Sequence, residues 1–451
     1  MTLPRQIEDQ IRRCTRCGAC LEACPSYQVS GDESLAARGR VSLLEAVLDD
    51  RLGLTRGLAG RFSRCLGCRA CAGVCPSGID PHRIIAAAKA FLAAEGGFWK
   101  LSRSATAALA GTGGRPQAGL RLAGLLEAAL YQKAPAASYL PYCRSGRKRV
   151  LPAPPGRSLL DMLPEISHAS GGPEAGASRV ILFPGCSTTA FYPETGLAAV
   201  AALNRSGNDV LSPRGLKCCG MPLLSLGEEG AARLMLENNL HILGVLDADA
   251  VVTPCPSCAL SLREELPRLL GPDRSDARKL AAKVLDIHQF LASGSMAGYG
   301  TPAKTGAVAG PEEKRAARAR AGMSPGDKGA GEDEITVTWH DPCHLRHGLD
   351  MTDGPREIIA SIPGVRYIEM PGGQSCCGGG GLFSLKHYDM ALEIGLRKAE
   401  EIAASGVQAV VTGCPSCRMH LTDMLARAGS RARIVHTVEL PGEAGGAGKS
   451  S

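Results

Sequence analysis

The chain has 451 residues, enough for about three domains and more than one hydrophobic core. Its formal charge of +7 is dispersed, and no basic stripe interleaved with aromatic residues suggests a nucleic-acid partner. Nineteen clustered cysteines in so long a chain argue against a secreted disulfide scaffold. The amino terminus lacks a signal-peptide core, and no run of about 18 apolar residues predicts a membrane-spanning helix. We therefore expect a cytoplasmic protein, with any membrane contact peripheral and on the inner face.

Residues 1–95 contain two copies of one cysteine motif. Each copy reads C-x2-C-x2-C-x3-C-P, the run that holds [4Fe–4S] cubes in two-cluster ferredoxins. Because the fourth cysteine of such a run ligates the other cluster, a crossed pairing is expected. One cluster would be held by Cys14, Cys17, Cys20 and Cys75, and the other by Cys65, Cys68, Cys71 and Cys24. Two zinc sites are the alternative, but zinc usually takes two separated ligand pairs, so the motif favours an electron-carrying domain.

Helices are predicted around these motifs. One spans Gln6–Arg13, and Ala36–Leu54 carries a helical apolar stripe between the two motifs. Pro81–Ala94 reads as a closing helix, with Asp80 as its N-cap and proline at its first position. The spacer of 40 residues between the two motifs is far longer than in a minimal ferredoxin, so this domain should be mainly α-helical.

Three further stretches carry no predicted core. Residues 96–176 are interpreted as a connector with helical character at Leu120–Leu130, and its single Cys143 as structural or incidental. Residues 301–333 are rich in Gly, Ala, Lys, Arg and Glu and are predicted to be a flexible insert. Residues 441–451 are rich in Gly and Ser and are predicted to be a disordered tail.

Residues 177–300 and 334–440 form an internal repeat. Three cysteine motifs recur in the same order, at offsets of 157, 158 and 159 residues. The first copy supplies Cys186, Cys218, Cys219, Cys255 and Cys258, and the second supplies Cys343, Cys376, Cys377, Cys414 and Cys417. The two copies should therefore have the same fold and present matched sets of five thiols.

Each copy alternates apolar strands with helical stretches. Predicted strands are Arg179–Phe183, Ala250–Thr253, Ile335–Trp339 and Ala409–Thr412, and predicted helices include Glu229–Leu246 and Ala391–Ala404. This alternation predicts α/β units with parallel sheets, so the overall fold class is α/β behind an α-helical ferredoxin-type domain. The cysteines follow the strands, which places them at the carboxyl edge where such sheets bind ligands.

The adjacent cysteines in each copy favour a polynuclear cluster. Neighbouring sulfurs grip one small tetrahedral ion poorly but can bind different irons of a larger cluster. Gly220 and Gly378, which follow the cysteine pairs, would let the backbone pass close to that cluster. A structural zinc or a redox disulfide in each copy stays open as an alternative. Residues Gly378–Gly381 lack the spacing and the lysine of a phosphate loop, so no nucleotide site is expected there.

Charged and titratable residues stand close to several cysteines. Arg38 and Arg40 could neutralise cluster charge, or form a solvated helix start. His340, His344 and His347 surround Cys343 and could donate protons or stabilise a reduced cluster, since histidine titrates near neutral pH. Histidines packed at a strand end are the alternative. No catalytic residue is assigned.

The patterns C-x31-CCG-x34-CxxC and C-x32-CCG-x35-CxxC resemble the CCG domains of heterodisulfide reductase. Behind a two-cluster ferredoxin domain, this layout resembles the D subunit of heterodisulfide reductase and the iron–sulfur subunit of glycolate oxidase. The first 95 residues resemble the glycolate oxidase protein most. That similarity lies in Cys24-Pro-Ser-Tyr-Gln28, Gly31-Asp-Glu33, Arg38-Gly-Arg40 and Cys75-Pro-Ser-Gly78.

The resemblance implies cofactors, partners and a function. It implies two [4Fe–4S] clusters, and further clusters in the CCG domains that can be of the non-cubane [4Fe–4S] kind. An FAD-containing 2-hydroxyacid dehydrogenase subunit, acting on glycolate or D-lactate, would pass electrons through this chain to a quinone, a membrane cytochrome or another acceptor. The alternative is reduction of a disulfide at a CCG-bound cluster. Both five-cysteine sets are intact, whereas glycolate oxidase subunits often lack some of these cysteines, so the alternative stays open.

Overall fold

The computed structural model describes residues 3–95, 138–140, 149–152, 155–170, 178–293 and 334–442. These residues form a helical amino-terminal part and two α/β units with parallel sheets, which confirms the predicted fold class. Leu120–Leu130, Cys143, the insert at 301–333 and residues 443–451 lie outside the described residues. No helix among the described residues is both long enough and apolar enough to cross a membrane.

The amino-terminal part consists of short helices around its own core. They span Arg5–Arg12, Ala19–Glu22, Pro25–Ser30, Ala37–Leu48, Arg56–Ser63, Ala70–Gly73 and Pro81–Glu95, with a 3₁₀ turn at Glu33–Leu35. The predicted middle helix ends early, at Leu48, because Asp50 adopts the left-handed conformation (φ 55°) just after it. Asp80 Oδ1 accepts a hydrogen bond from Arg83 N at 3.1 Å, which confirms the predicted N-cap.

The first α/β unit is built on a five-stranded sheet. Its strands are β3 (Ile166–Ser167), β4 (Ser178–Leu182), β5 (Asn208–Leu211), β6 (Ala250–Thr253) and β7 (Val284–Asp286), in the order β3-β5-β4-β6-β7. All pairs are parallel except β3 with β5. Its helices span Leu159–Met162, Gly185–Phe191, Pro193–Arg205, Met221–Leu224, Glu229–Gly244, Pro256–Leu260, Leu266–Leu270, Ser275–Ala282 and Ile287–Ala292, with a π-helix at Ser261–Glu265.

The second α/β unit repeats the central strands of the first. Its parallel sheet has the order β11-β10-β8-β9, with β8 (Ile335–Trp339), β9 (Val365–Tyr367), β10 (Ala409–Thr412) and β11 (Arg433–His436). Its helices span Cys343–Gly348, Gly354–Ala360, Phe383–Lys386, Tyr388–Ser405 and Pro415–Arg427, with a 3₁₀ turn at Thr437–Glu439. All four predicted strands of the repeat are confirmed, one of them shifted by one residue.

The two units share one hydrophobic core. Val180 and Val252 of the first sheet belong to the same buried cluster as Val337, Trp339 and Val411 of the second. The opposite face of each sheet is covered by its own helices, which form separate apolar clusters. Side chains buried on both faces explain why the strands read as continuous apolar runs rather than alternating ones. The shared core holds the carboxyl edges of the two sheets in one fixed relation.

Part of the predicted connector belongs to the folded units. β3 pairs antiparallel with β5 at the edge of the first sheet. A hairpin of β1 (Ser138–Leu140) and β2 (Arg149–Leu151) contacts the second unit, where Val150 N donates to Asp423 Oδ1 at 2.9 Å. Strands of two or three residues give no periodic signal, which is why the sequence does not predict them.

Candidate metal centres

Two small cavities in the helical part are each surrounded by four cysteines. Around the first lie Cys14, Cys17, Cys20 and Cys75, and around the second lie Cys24, Cys65, Cys68 and Cys71. Each cavity takes three cysteines from one motif and the last cysteine of the other, which is the grouping that a crossed pairing requires. Four thiolates around one cavity match the donor set of a [4Fe–4S] cluster. The residues fit the cofactor, and their individual assignment as ligands stays a prediction.

The two cysteine loops follow the same backbone path. Arg16 (φ 56°) and Gly67 (φ 74°) occupy the same position between the first and second cysteines of their motifs. Gly18 (φ 92°) and Arg69 (φ 64°) correspond in the same way just after the second cysteine. Left-handed backbone is costly for a residue with a Cβ, so surrounding contacts must hold the two arginines in place. The repeated path explains how each loop wraps three sulfurs around one cavity.

Positive charge is distributed differently around the two cavities. Arg38 lines the first and forms a salt bridge with Glu33, with 2.6 Å between Arg38 Nη2 and Glu33 Oε2. Arg40 lines the second, is buried, and has one guanidinium nitrogen without a hydrogen-bond partner among the described residues. Burial opposes ionisation of Cys65, but the charges of Arg40 and Lys89 outweigh it and lower the pKa of that thiol. The second cavity therefore has the less compensated positive charge.

A third cavity, of about 390 Å³, lies where the helical part meets both α/β units, and we call it the central cavity. Nine of the ten repeat cysteines line it: Cys186, Cys219, Cys255, Cys258, Cys343, Cys376, Cys377, Cys414 and Cys417. The Sγ atom of the tenth, Cys218, lies 3.5 Å from that of Cys186. Cys65 and Cys68 also line this cavity. Cysteines of both copies thus face one volume, together with part of the second small site.

Sheet topology explains why the repeat cysteines converge. The strand pairs β4–β6 and β8–β10 are adjacent and parallel, so their carboxyl ends lie side by side. Cys255 and Cys414 follow β6 and β10 by two residues and immediately precede the prolines that begin the next helices. Proline at the first helical position has a fixed φ and no amide donor to lose. The carboxyl-edge location predicted from the sequence is therefore where the structure places these cysteines.

Sulfur atoms of the repeat cysteines contact one another within each copy. Cys377 Sγ lies 3.3 Å from Cys417 Sγ. Cys255 of the first copy and Cys417 of the second hold the pKa of Cys414 well below its usual value, so the ionisation of thiols in the two copies is linked. This clustering of sulfur atoms suits polynuclear metal binding better than two isolated sites.

The glycines next to the cysteines pack closely against neighbouring helices and cysteine sulfurs. Gly378 adopts φ +84°, and a Cβ there would lie 2.7 Å from Ala391 O of a neighbouring helix. Gly220 likewise approaches Ala232. A Cβ at Gly185 would lie 2.7 Å from the sulfur of Cys258, and one at Gly379 would lie 3.4 Å from that of Cys377. A close approach of Gly220 and Gly378 to a cluster stays a prediction.

The three predicted histidines have different surroundings. His344 bridges two other parts of the chain, with Nδ1 2.8 Å from Ser257 Oγ and Nε2 3.1 Å from Gly67 O. Burial lowers the pKa of His344 and also that of the half-buried His347. His340 is buried, and neither of its ring nitrogens has a hydrogen-bond partner in the part of the chain that the structure describes. Only His344 therefore has the contacts of a packed, satisfied histidine.

An ion-pair group joins the second cysteine loop to the first α/β unit. Arg69 contributes two guanidinium nitrogens to the carboxylate of Glu264, at 3.1 and 2.5 Å, and Arg83 a third at 3.0 Å. Glu264 lies in the π-helix that follows the CPSC motif of the first copy. Burial opposes its ionisation, but the hydrogen bonds and charge of Arg69 prevail and lower its pKa. The group fixes the loop of the second small cavity against the central cavity.

A Glu264→Gln variant is expected to weaken this docking. The charge of Arg69, whose side chain is 8% exposed, would lose its compensation, so the apparent free energy of unfolding should fall by about 1–3 kcal/mol. Urea unfolding, followed through the loss of the visible cluster absorption, measures the change.

Glu237→Gln is the matched control for that substitution. It removes the same charge from an exposed i,i+4 pair with Arg233, with side chains 35% and 53% exposed. Such a pair contributes about 0.5 kcal/mol or less. Equal midpoint shifts for the two variants would contradict a docking role for Glu264.

Some residues at these sites give no signal in the sequence. Lys89 Nζ donates to Cys65 O and to Ser225 O, both at 2.9 Å, and so links the second cysteine loop to the first unit. His82 lines both the second small cavity and the central cavity, and burial holds its pKa well below the usual value. Both lie on the closing helix, where a lysine or a histidine reads as an ordinary surface residue.

Comparison with known proteins identifies two kinds of domain. A family model described as "4Fe-4S dicluster domain" matches residues 10–79, and one described as "Cysteine-rich domain" matches 180–263 and 337–422. The "Probable glycolate oxidase iron-sulfur subunit" of Bacillus subtilis (strain 168) is 28% identical over 98% of this chain and 96% of its own. The D subunit of the dihydromethanophenazine:CoB--CoM heterodisulfide reductase of Methanosarcina barkeri is 25% identical, with 96% and 94% covered. The "Glycolate oxidase iron-sulfur subunit" of Escherichia coli (strain K12) is 25% identical, with 95% and 93% covered.

These matches define the chain as an iron–sulfur protein that combines a 4Fe–4S dicluster domain with two cysteine-rich domains. Within that class it is similar, over nearly its whole length, to glycolate oxidase iron–sulfur subunits and to the D subunit of heterodisulfide reductase. Both resemblances predicted from the sequence are confirmed. The protein therefore binds iron–sulfur clusters, and its relatives are subunits of oxidoreductases.

Proposed function

We propose that this chain is the electron-transfer subunit of a flavin-dependent 2-hydroxyacid dehydrogenase. A separate FAD-containing subunit would oxidise glycolate or D-lactate, and this chain would carry the electrons away from it. When bound, iron–sulfur clusters supply one-electron carriers. One observation carries the proposal: Cys65 and Cys68 line both the second small cavity and the central cavity. The cysteine-lined sites are thus contiguous from the dicluster domain to both cysteine-rich domains.

The first small cavity and the central cavity suit different redox partners. Cys17 at the first small cavity is exposed, so a flavoprotein surface can approach it closely. The central cavity includes apolar side chains on its wall, among them Met221, Leu224 and Met419, and the half-exposed Leu385. An apolar wall suits a quinone, or the surface of a membrane cytochrome that reduces one. In this proposal the chain works in the cytoplasm, at the inner face of the membrane.

Reduction by substrate tests the proposal. The anaerobically purified chain, mixed with the FAD-binding 2-hydroxyacid dehydrogenase of the same organism, should lose its visible cluster absorption when glycolate or D-lactate is added. Omission of either the flavoprotein or the acid should leave the absorption unchanged. If dithionite bleaches the protein but no 2-hydroxyacid does so with the flavoprotein present, the proposal is wrong. A colourless protein that contains zinc and no iron would exclude any redox function.

A second candidate is favoured by the completeness of the two cysteine sets around one cavity. A disulfide that enters the central cavity would meet the iron–sulfur clusters held by the cysteines of the two copies, as expected for a reductase of the heterodisulfide type. The discriminating assay supplies the isolated chain with an artificial electron donor and a small disulfide. Reduction of the disulfide without any flavoprotein would favour this candidate over the first.

A further inference from the structure

His340 is a buried histidine beside Cys377 and Cys417 of the second cysteine set. It follows β8 directly, is 1% exposed, and has both ring nitrogens without a hydrogen-bond partner among the described residues. Buried polar groups in proteins are almost always paired, because an unpaired one loses its hydration without compensation. An imidazole in this state therefore indicates a partner other than the protein itself.

Two cysteine sulfurs surround the ring. One nitrogen of His340 and the sulfurs of Cys377 and Cys417 all lie within 4.8 Å of one another, and all three residues are buried. The two sulfurs are 3.3 Å apart. One nitrogen and two sulfurs at these separations can bind a common metal atom.

The chain on both sides fixes the position of this ring. His340 N donates to Val411 O of the neighbouring strand at 2.9 Å. The next residue, Asp341, accepts hydrogen bonds from Trp339 Nε1 at 2.7 Å and from Arg356 at 2.8–2.9 Å. The imidazole is therefore held at the cysteines by a backbone that is fixed before and after it.

The first copy has a phenylalanine at the equivalent place. Phe183 follows β4, and its N donates to Val252 O at 2.9 Å, the same strand-to-strand hydrogen bond that His340 makes. The Phe183 ring is buried in an apolar cluster that includes Cys219 and Cys258, the counterparts of Cys377 and Cys417. The two copies thus present the same sulfur pair, but only the second adds a nitrogen donor.

We propose that His340 is a nitrogen ligand, together with Cys377 and Cys417, of the iron–sulfur centre held by the second cysteine set, whereas the first set is all-thiolate. The inference rests on the iron–sulfur assignment, but not on the identity of the electron donor or acceptor. The two copies of the repeat would then hold chemically different centres, because only the second has a nitrogen donor beside its thiols.

Histidine-specific isotope labelling tests the ligand directly. The wild-type protein, made with ¹⁵N-histidine in a histidine auxotroph and studied by pulsed EPR, should show a strong ¹⁵N coupling in the redox state in which the centre is paramagnetic. Labelling only histidine removes the contribution of the Gly378 and Gly379 amides, which lie 3.4 Å from cysteine sulfurs. A His340→Phe variant, which installs the residue of the first copy, should keep its iron but lose the coupling.

His420→Gln is the matched control. This histidine is equally buried, and its Nε2 pairs with Ala391 O at 3.1 Å, while its Nδ1 has no hydrogen-bond partner among the described residues. Unlike His340, it has no ring nitrogen within 4.8 Å of both cysteine sulfurs, so the coupling should survive its substitution. Absence of a strong histidine coupling in a wild-type protein that contains iron and sulfide would overturn the proposal, whether or not the variants fold. Survival of the coupling in His340→Phe would do the same. Neither result would affect the proposed function, whereas zinc without iron would overturn both.

Discussion

A Cys24→Ser variant is expected to lose the second [4Fe–4S] cluster and keep the first, although Cys24 belongs to the first motif. Its side chain lies around the second cavity, with Cys65, Cys68 and Cys71. Serine oxygen replaces a thiolate poorly as a cluster ligand, so the variant should bind about four iron atoms fewer per chain. Iron analysis and the EPR spectrum of the reduced protein measure the loss.

The reciprocal substitution provides the control. Cys75 belongs to the second motif but lies around the first cavity, so Cys75→Ser should remove the other EPR signal. Two variants of the same chemical kind then produce opposite spectra. If instead each variant loses the cluster of its own motif, the pairing is not crossed and the two sets of four ligands must be reassigned.

Local features of the sequence predicted the strands, a helix start and the location of the cysteine sites. The repeat offsets and the apolar runs locate four strands, and the rule for parallel sheets places the cysteines at their carboxyl edges. These inferences need only residues near one another in the chain or in register within the repeat. The N-cap at Asp80 is of the same kind, since one side chain and one amide three residues later decide it.

The central cavity could not be predicted, because it depends on how separate parts of the chain dock. Arg69 and Glu264 are 195 residues apart, and His344 lies 277 residues from Gly67. Each of these side chains could pair with many other polar residues of the chain or with water. Only the folded structure shows which partner it has. Gly378 shows the same limit, because it packs against the helix that begins at Tyr388 and no local pattern specifies that packing.

The two small cavities should also differ in reduction potential. Both motifs have the same cysteine spacing, so the difference must come from the surrounding charges and from solvent. The first cavity has the exposed Cys17 and an arginine paired with Glu33. The second has the buried Arg40, and the buried Lys89 donates to the carbonyl of its Cys65. Buried positive charge stabilises the reduced cluster, which carries one more negative charge. The inner site is therefore the more easily reduced, which favours electron transfer inward to the central cavity.

An Arg40→Met variant is expected to lower the reduction potential of the second cluster. Methionine keeps most of the apolar contacts of the arginine but removes a charge that is only 1% exposed. A unit charge several ångströms away, at an effective dielectric constant of about 20, contributes about 2–3 kcal/mol, or roughly 100 mV for a one-electron couple. An EPR-monitored redox titration measures this shift, with the first cluster of the same protein as an internal reference.

Arg38→Met is the comparison that separates a buried charge from an exposed one. Arg38 lines the first cavity, but it is paired with Glu33, and the two side chains are 24% and 49% exposed. Solvent and the carboxylate already screen its charge, so the potential of the first cluster should shift much less than that of the second cluster does in Arg40→Met. The shift in Arg38→Met should also shrink in high salt, whereas the shift in Arg40→Met should persist. Equal shifts in the two variants would mean that burial of Arg40 does not set the difference between the two sites.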